Sequence, residues 1–305
     1  MLCNAPSQET IDAVARMQDY ISEHLTEPIT LKQLSGAANY SPYHSAHMFK
    51  EMIGLPPFEY IRRLRLSKSA LRLRDTEQKV LDVALDFMFD SHEGFTRAFS
   101  REFGVTPKQY AKRPKPVWLY TAYNIRDYYR YINQTEESAM DESSAAIFTQ
   151  VVERPRRKLL VKCAKTATEY FAYCEEIGCD IWGILTSVKE ALYEPVGCWI
   201  PVNLRPAGTG EYAQGVEVPY DYSGEVPEGF HLIELPACKM MIFQGEPFKD
   251  EDFEKAIGAM WNFIPKFNPQ IYGYEWADEI APRMQLAPEG WRGYIEMRPV
   301  REINT

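Results

Sequence analysis

The chain has 305 residues, 45% of them apolar and 25% charged, which is ample for two or three globular domains. No apolar run approaches the ~20 residues that a membrane span needs, and the start "MLCNAPSQETIDAV" lacks a basic stretch followed by an apolar one, so neither a membrane partner nor a secretory leader is expected. The net charge of −9 is uneven: residues 1–115 hold 16 Lys+Arg against 14 Asp+Glu, a net of +2, while residues 116–305 hold 18 against 29, a net of −11. Six cysteines, at 3, 163, 174, 179, 198 and 238, form no Cys-x-x-Cys pair. They read as reduced thiols of a cytoplasmic protein, with no metal site and no cofactor expected.

Apolar residues at helical spacing predict a helix over 8–24. Thr30 is the N-cap of a second, short helix, and Ser41-Pro42 starts a third that Gly54 ends. Pro56-Pro57 opens a basic helix to about residue 74, "VLDVALDFMF" (80–89) gives another, and after a break at Asp90-Ser91 one more runs to Gly104. A final turn ends near Arg113. Residues 117–133 are rich in aromatics and suit a docking helix; residues 134–146, "QTEESAMDESSAA", have the composition of a flexible linker. From residue 147 the texture becomes strand-like: "FTQVVE", "KLLVKCA", "CWIPV", "GVEVPY", "HLIEL", "KMMIFQG" and "YIEMRPV", with helices over about 168–192 and 249–264. Strand–helix–strands, twice over, suggests a duplicated α+β unit.

The helical half repeats itself at an offset of fifty residues. "SPYHSAHMFKEMIGLPPFEY" (41–60) and "SHEGFTRAFSREFGVTPKQY" (91–110) align Ser41 with Ser91, Phe49 with Phe99, Gly54 with Gly104, Pro57 with Pro107 and Tyr60 with Tyr110. A helix-turn-helix lays one helix across the DNA backbone and a second in the major groove. Residues 30–53 and 80–103 both fit that plan. The shared apolar and turn positions build one core twice, and the polar positions between them differ as two reading surfaces would.

On "SPYHSAHMFKEMIG", "YIRRLRLSKSALRLRD" and "FDSHEGFTRAFSREFGVTP", residues 8–113 resemble the tandem helix-turn-helix domain of the AraC/XylS family of transcription regulators. The resemblance implies two recognition helices, 42–53 and 91–103, joined by the basic helix 57–74. By position, Tyr43, Ala46 and His47 would face bases from the first, and His92, Glu93 and Arg97 from the second. Arg97 is the strongest single candidate, since Arg is the commonest bidentate partner of guanine. Lys50, Arg62, Arg65, Lys68 and Arg101 are the phosphate-contact candidates. The chain departs from the family in having Ser45 at a usually large apolar position, Ala46-His47 where an Arg or Gln is common, and Met88-Phe89 in place of Gly-Phe.

Residues 147–303 resemble the GyrI-like effector-binding domain, carried by "EYAQGVEVP" (211–219), "LPACKMMIFQGEP" (235–247), "YEWADEI" (274–280) and "YIEMRPV" (294–300). That family implies two pseudo-repeated units around an aromatic cleft, often with a buried acid for lipophilic cations. Five of six Trp follow residue 180, as flat walls for stacking and cation–π contact would. The resemblance puts the acid at Glu275, with Glu217 the second candidate or else a solvent-facing strand position. Tyr274, Trp276, Trp199 and Tyr212 are the candidate walls; Trp182 and Trp261 fit ordinary core positions.

The expected architecture is multidomain: an all-α tandem helix-turn-helix domain (1–115), an aromatic segment and linker (116–146), and a duplicated α+β GyrI-like domain (147–305). The expected function is a ligand-responsive transcription regulator, not an enzyme. Its partners would be double-stranded DNA, a small and cationic lipophilic effector, and RNA polymerase. A hydrolase of small electrophiles fused to a DNA-binding domain, or a regulator answering to a protein partner, are the alternatives.

Overall fold

The computed structural model describes residues 6–126, 128–129, 146–178, 180–249 and 252–303. They divide into two compact units. One comprises the chain to Pro114 with the stretch that begins at Leu119, and the other Lys115–Trp118 with the chain from Ala146 on.

The described part of the first unit includes helices α1 (Gln8–Glu23), α2 (Leu31–Ala38), α3 (Pro42–Ile53), α4 (Pro57–Asp75), α5 (Val80–Asp86), α6 (His92–Phe103) and α7 (Pro107–Lys112). The punctuation read from the sequence acts as caps. Ser7, Thr30, Ser41, Ser91 and Thr106 each accept a backbone N–H from the first turn of the helix they precede, and Thr30 and Thr106 form full capping boxes with Gln33 and Gln109. Gly54 and Gly104 end α3 and α6 at φ 81° and 66°, in the left-handed region that glycine adopts without strain. The fifty-residue repeat extends to packing: Phe49 meets Tyr60 edge-on at 5.1 Å, and Phe99 meets Tyr110 at 5.7 Å.

The docking helix expected over 117–133 is present in part: among the described residues Ile125, Arg126, Tyr128 and Tyr129 are helical, and the stretch before them is not. Residues 114–124 form neither helix nor strand. Ile125 is buried in the core with Val14, Met17 and Phe49. Gln18 fixes this stretch by donating to Tyr123 O at 2.9 Å and accepting from Ile125 N at 3.1 Å, while Arg126 reaches Asp12 and Asp19. The linker expected at 134–146 lies, but for Ala146, outside the described residues.

The second unit is one antiparallel sheet with helices on one face. Its strands are β1 (Ile147–Arg154), β2 (Arg157–Cys163), β3 (Val196–Trp199), β4 (Tyr212–Pro219), β5 (His231–Leu235), β6 (Cys238–Gly245), β7 (Tyr274–Trp276), β8 (Arg283–Leu286) and β9 (Ile295–Glu302). Its helices are α8 (Tyr170–Ile177), α9 (Ile181–Ser187) and α10 (Phe253–Phe263). The single helix expected over 168–192 is two, because Gly178 takes φ 108°, outside the helical range. Strands β7 and β8 were not foreseen; at three and four residues they are too short to show a period of two.

The strand order is β1-β6-β9-β8-β3-β4-β2-β5, with β7 also on β9. This is a duplication. In β2–β3–β4 the first and second strands each pair with the last, β4, as the first and second of β6–β8–β9 do with β9. The halves join where β3 meets β8, with Gly197 opposite Gln285. The leading strands are exchanged: β1 pairs with β6, and β5 with β2. Helices α8 and α9 cover one half through Tyr173, Ile184 and Leu185 against Tyr212 and Val216, and α10 covers the other through Met260 against Phe243 and Tyr294. The opposite face carries a separate core that includes Leu159, Cys198, Met240 and Met284.

Candidate nucleic-acid interface and ligand site

The two capped helices α3 and α6 bury one face and leave the other open. Ser45, Met48 and Phe49 hold α3 inward, and Phe95, Phe99 and Phe103 hold α6. Tyr43 is 83% exposed. His47, Lys50, His92, Glu93, Arg97 and Arg101 are also exposed, and Ala46 is half-buried. Tyr43 and His47 stack with ring centroids 6.4 Å apart, and His47 Nε2 lies 3.1 Å from Glu51. Among the described residues no ion pair engages Lys50, Lys68, Arg97 or Arg101, so these cations face solvent unspent.

Two phosphate-contact candidates serve the fold instead. Arg65 donates to the carbonyls of Leu25 at 2.9 Å and Glu27 at 2.6 Å, closing the chain after α1 onto α4. Its guanidinium is drawn down from its ordinary pKa by burial. Arg62 forms a two-pronged pair with Glu59, at 2.6 and 3.0 Å, and Arg63 shares that carboxylate. The side-chain pair with Arg62 holds the Glu59 carboxyl below the usual range. Of the α4 candidates, Lys68 alone is both exposed and free of an ion pair among the described residues.

In the second unit the predicted ligand residues scatter. Glu275 is half-exposed and lies 2.6 Å from Arg301, so it is neither buried nor unpaired. Glu217 is 2% exposed but belongs to the opposite face, where it accepts from fully buried Arg157 and lies 3.6 Å from Arg154. It is a structural buried ion pair, not a strand position open to solvent. Tyr274 and Trp276 pack against the α10 core, with the Arg298 guanidinium 4.2 Å above the Trp276 ring. Trp199 and Tyr212 do come together, edge to face at 5.2 Å.

The acid that the sequence reading missed is Glu296 on β9, 1% exposed on the helix-bearing face. Its Oε1 accepts from Trp261 Nε1 at 2.8 Å and lies 3.0 Å from Tyr294 Oη. Trp261, expected in the core, is instead 52% exposed. Tyr294 Oη also lies 2.7 Å from Gln285 Oε1, and Gln285 Nε2 donates to Tyr212 Oη at 2.9 Å. A polar seam thus crosses the sheet from Trp199 and Tyr212 to Glu296 and Trp261, through the junction of the two halves. Burial pushes the Glu296 carboxyl up and raises both tyrosine hydroxyls, which stay protonated at neutral pH.

The duplication itself held the signal. Gln214 lies opposite Gly197 and Glu296 opposite Gln285, so "YAQGVEV" and "YIEMRPV" are equivalent, with Tyr212 matching Tyr294 and Gln214 matching Glu296. Gly197 is required at the junction, because a Cβ there would sit 2.5 Å from Tyr212 Oη and 2.9 Å from Gln285 Nε2. An open groove of about 640 Å³ elsewhere on this unit is lined by Arg154, Cys238, Lys239 and Arg301 among others. Lys239 and Arg301 are tied to carboxylates, and the groove does not include Glu296.

Residues 34–113 match the family model described as a helix-turn-helix domain. Right origin-binding protein of Escherichia coli K12 is 43% identical over 107 residues, 35% of this chain and 36% of that protein. Regulatory protein SoxS of Salmonella typhimurium is 35% identical over 95 residues, 31% of this chain and 89% of SoxS. The chain belongs to the AraC family of helix-turn-helix transcription regulators. Transposon Tn10 TetD protein of Escherichia coli is 36% identical over 99 residues, covering 32% of this chain and 70% of TetD. The chain spans about a third of the length of Right origin-binding protein. No described helix of this AraC-family chain is long and apolar enough to cross a membrane.

Proposed function

We propose that the protein is a cytoplasmic, ligand-responsive transcription regulator that binds duplex DNA through α3 and α6 and a lipophilic organic cation at the polar seam of its second unit. The observation that carries the DNA half is the duplicated capped helix with unspent cations, Arg97 above all, on its open face. Lys50, Lys68 and Arg101 serve phosphates; Tyr43, Ala46, His47, His92, Glu93 and Arg97 serve base edges. The AraC-family membership of the chain supports this, as does its likeness to the regulatory protein SoxS.

The ligand half is supported by Glu296. A buried carboxylate between Trp261 and Tyr294, whose Arg283 contact at 3.7 Å is too long for a hydrogen bond, is costly when ionised, and a flat organic cation relieves that cost while stacking on the rings. The second unit would then have the effector-binding role implied by its GyrI-like stretches. Ligand binding shifts the population of states that engage DNA or RNA polymerase.

Titrating tetraphenylphosphonium into the full chain while following tryptophan fluorescence tests the ligand half. Saturable quenching is expected, lost in Glu296→Gln and kept in Glu275→Gln. The same titration with labelled promoter DNA present should change the apparent DNA affinity. Equal quenching in wild type and Glu296→Gln would contradict the assignment of the acid.

A further inference from the structure

The proposed ligand site already holds a cation of the protein's own. Arg283 on β8 faces Trp199 across the β3–β8 junction. Its guanidinium carbon lies 3.8 Å from the centroid of the Trp199 ring. Its Nε lies 3.7 Å from Glu296 Oε2, and that buried nitrogen has no hydrogen-bond partner among the described residues. An aromatic face and a buried carboxylate are the two features that would recognise a ligand cation, and Arg283 engages both.

The geometry points to Arg283 as a tethered competitor that fills the cation subsite until a ligand displaces it; this rests on the ligand reading above. Three features make displacement feasible. The contact to Glu296 is too long for a hydrogen bond, so none is lost when the guanidinium leaves. The side chain is 38% exposed, and rotation about its own torsions carries the guanidinium into water without moving the sheet. Trp199 stays behind as a wall, because its Nε1 is anchored to Thr168 O at 2.9 Å.

The consequence is a size and shape filter. A ligand must replace both contacts at once, so small ammonium ions that satisfy the carboxylate without covering the ring gain little over Arg283. Flat or multi-ring cations gain the stacking area as well. The apparent affinity of any cation is also reduced by the fraction of time that Arg283 occupies the subsite.

Titration of tetraphenylphosphonium and of tetramethylammonium into wild type, Arg283→Gln, Glu296→Gln and the double variant tests this, with circular dichroism confirming that each is folded. Arg283→Gln should bind tetraphenylphosphonium about ten-fold tighter than wild type, the size of one desolvated cation–π contact. It should also gain measurable tetramethylammonium binding, and both gains should vanish in the double variant. If Arg283→Gln binds no tighter while Glu296→Gln abolishes binding, Arg283 is not a competitor and the cation reading stands. If no variant binds either cation, the ligand reading falls and this inference with it. A ligand-free check is the emission of Trp199, obtained by difference against Trp199→Phe: Arg283→Gln should shift it, and an unchanged spectrum would mean that the guanidinium does not sit on the ring.

Discussion

Tyr294 Oη lies 3.0 Å from Glu296 Oε1 and 2.7 Å from Gln285 Oε1, so one hydroxyl proton serves two acceptors. A proton on Glu296 supplies the missing donor, in the same direction as the burial that raises its pKa. A carboxyl whose folded pKa lies above its unfolded value adds stability at low pH. That stability is lost as pH rises from the ordinary carboxylate value through the raised one.

Glu296→Gln should therefore be more stable relative to wild type at pH 8 than at pH 4, because glutamine stays neutral throughout. Chemical denaturation of both proteins at the two pH values measures the difference. In wild type, cation affinity should rise with pH across the same window, and binding should release protons. Calorimetry in two buffers of different ionisation enthalpy detects that release.

Glu217 predicts the opposite behaviour. It pairs with Arg157 at full burial, and removing one partner strands the other charge, so Glu217→Ala should cost about 3–5 kcal/mol in denaturant unfolding. Cation affinity of the folded protein should be unchanged, since Glu217 lies on the face away from Glu296.

The helical half was legible because its signals are local. Ser41, Gly54 and Pro57, with their copies at Ser91, Gly104 and Pro107, act within one turn of where they stand. The ligand site was not, because its members are joined by register. Glu296 belongs with Trp261 and Gln285 only once β9 lies beside β8 and under α10. Glu275 looked like the acid on its neighbours in the chain, yet its partner Arg301 comes from β9 across the β7–β9 pair. Arg65 misled in the same way: a basic helix shows its charges in sequence but not the carbonyls of Leu25 and Glu27 that consume one of them.

Arg65 and Lys68 should accordingly separate in experiment. Arg65→Ala should lower stability by about 2 kcal/mol through two lost charge-assisted hydrogen bonds. Lys68→Ala should leave the melting temperature unchanged and reduce the slope of log affinity for DNA against log salt by about one.

Met88 stands at φ 62°, where a side chain is strained. Met88→Gly, the residue usual in the family at this place, should stabilise the first unit by about 0.5–1 kcal/mol after the entropy cost of glycine is subtracted. The denaturation midpoint of the variant against wild type shows the sign directly.

DNA reading by the open faces of α3 and α6 underlies the whole proposed function. Selection of bound sequences from a randomised duplex library by the full-length protein, at about 150 mM salt, tests it most directly. One enriched site is expected, containing two short conserved blocks about one helical turn apart, with loss of conservation at one block when Arg97→Ala is used. Enrichment of no sequence, or the same site with the same conservation from wild type and Arg97→Ala, would contradict it.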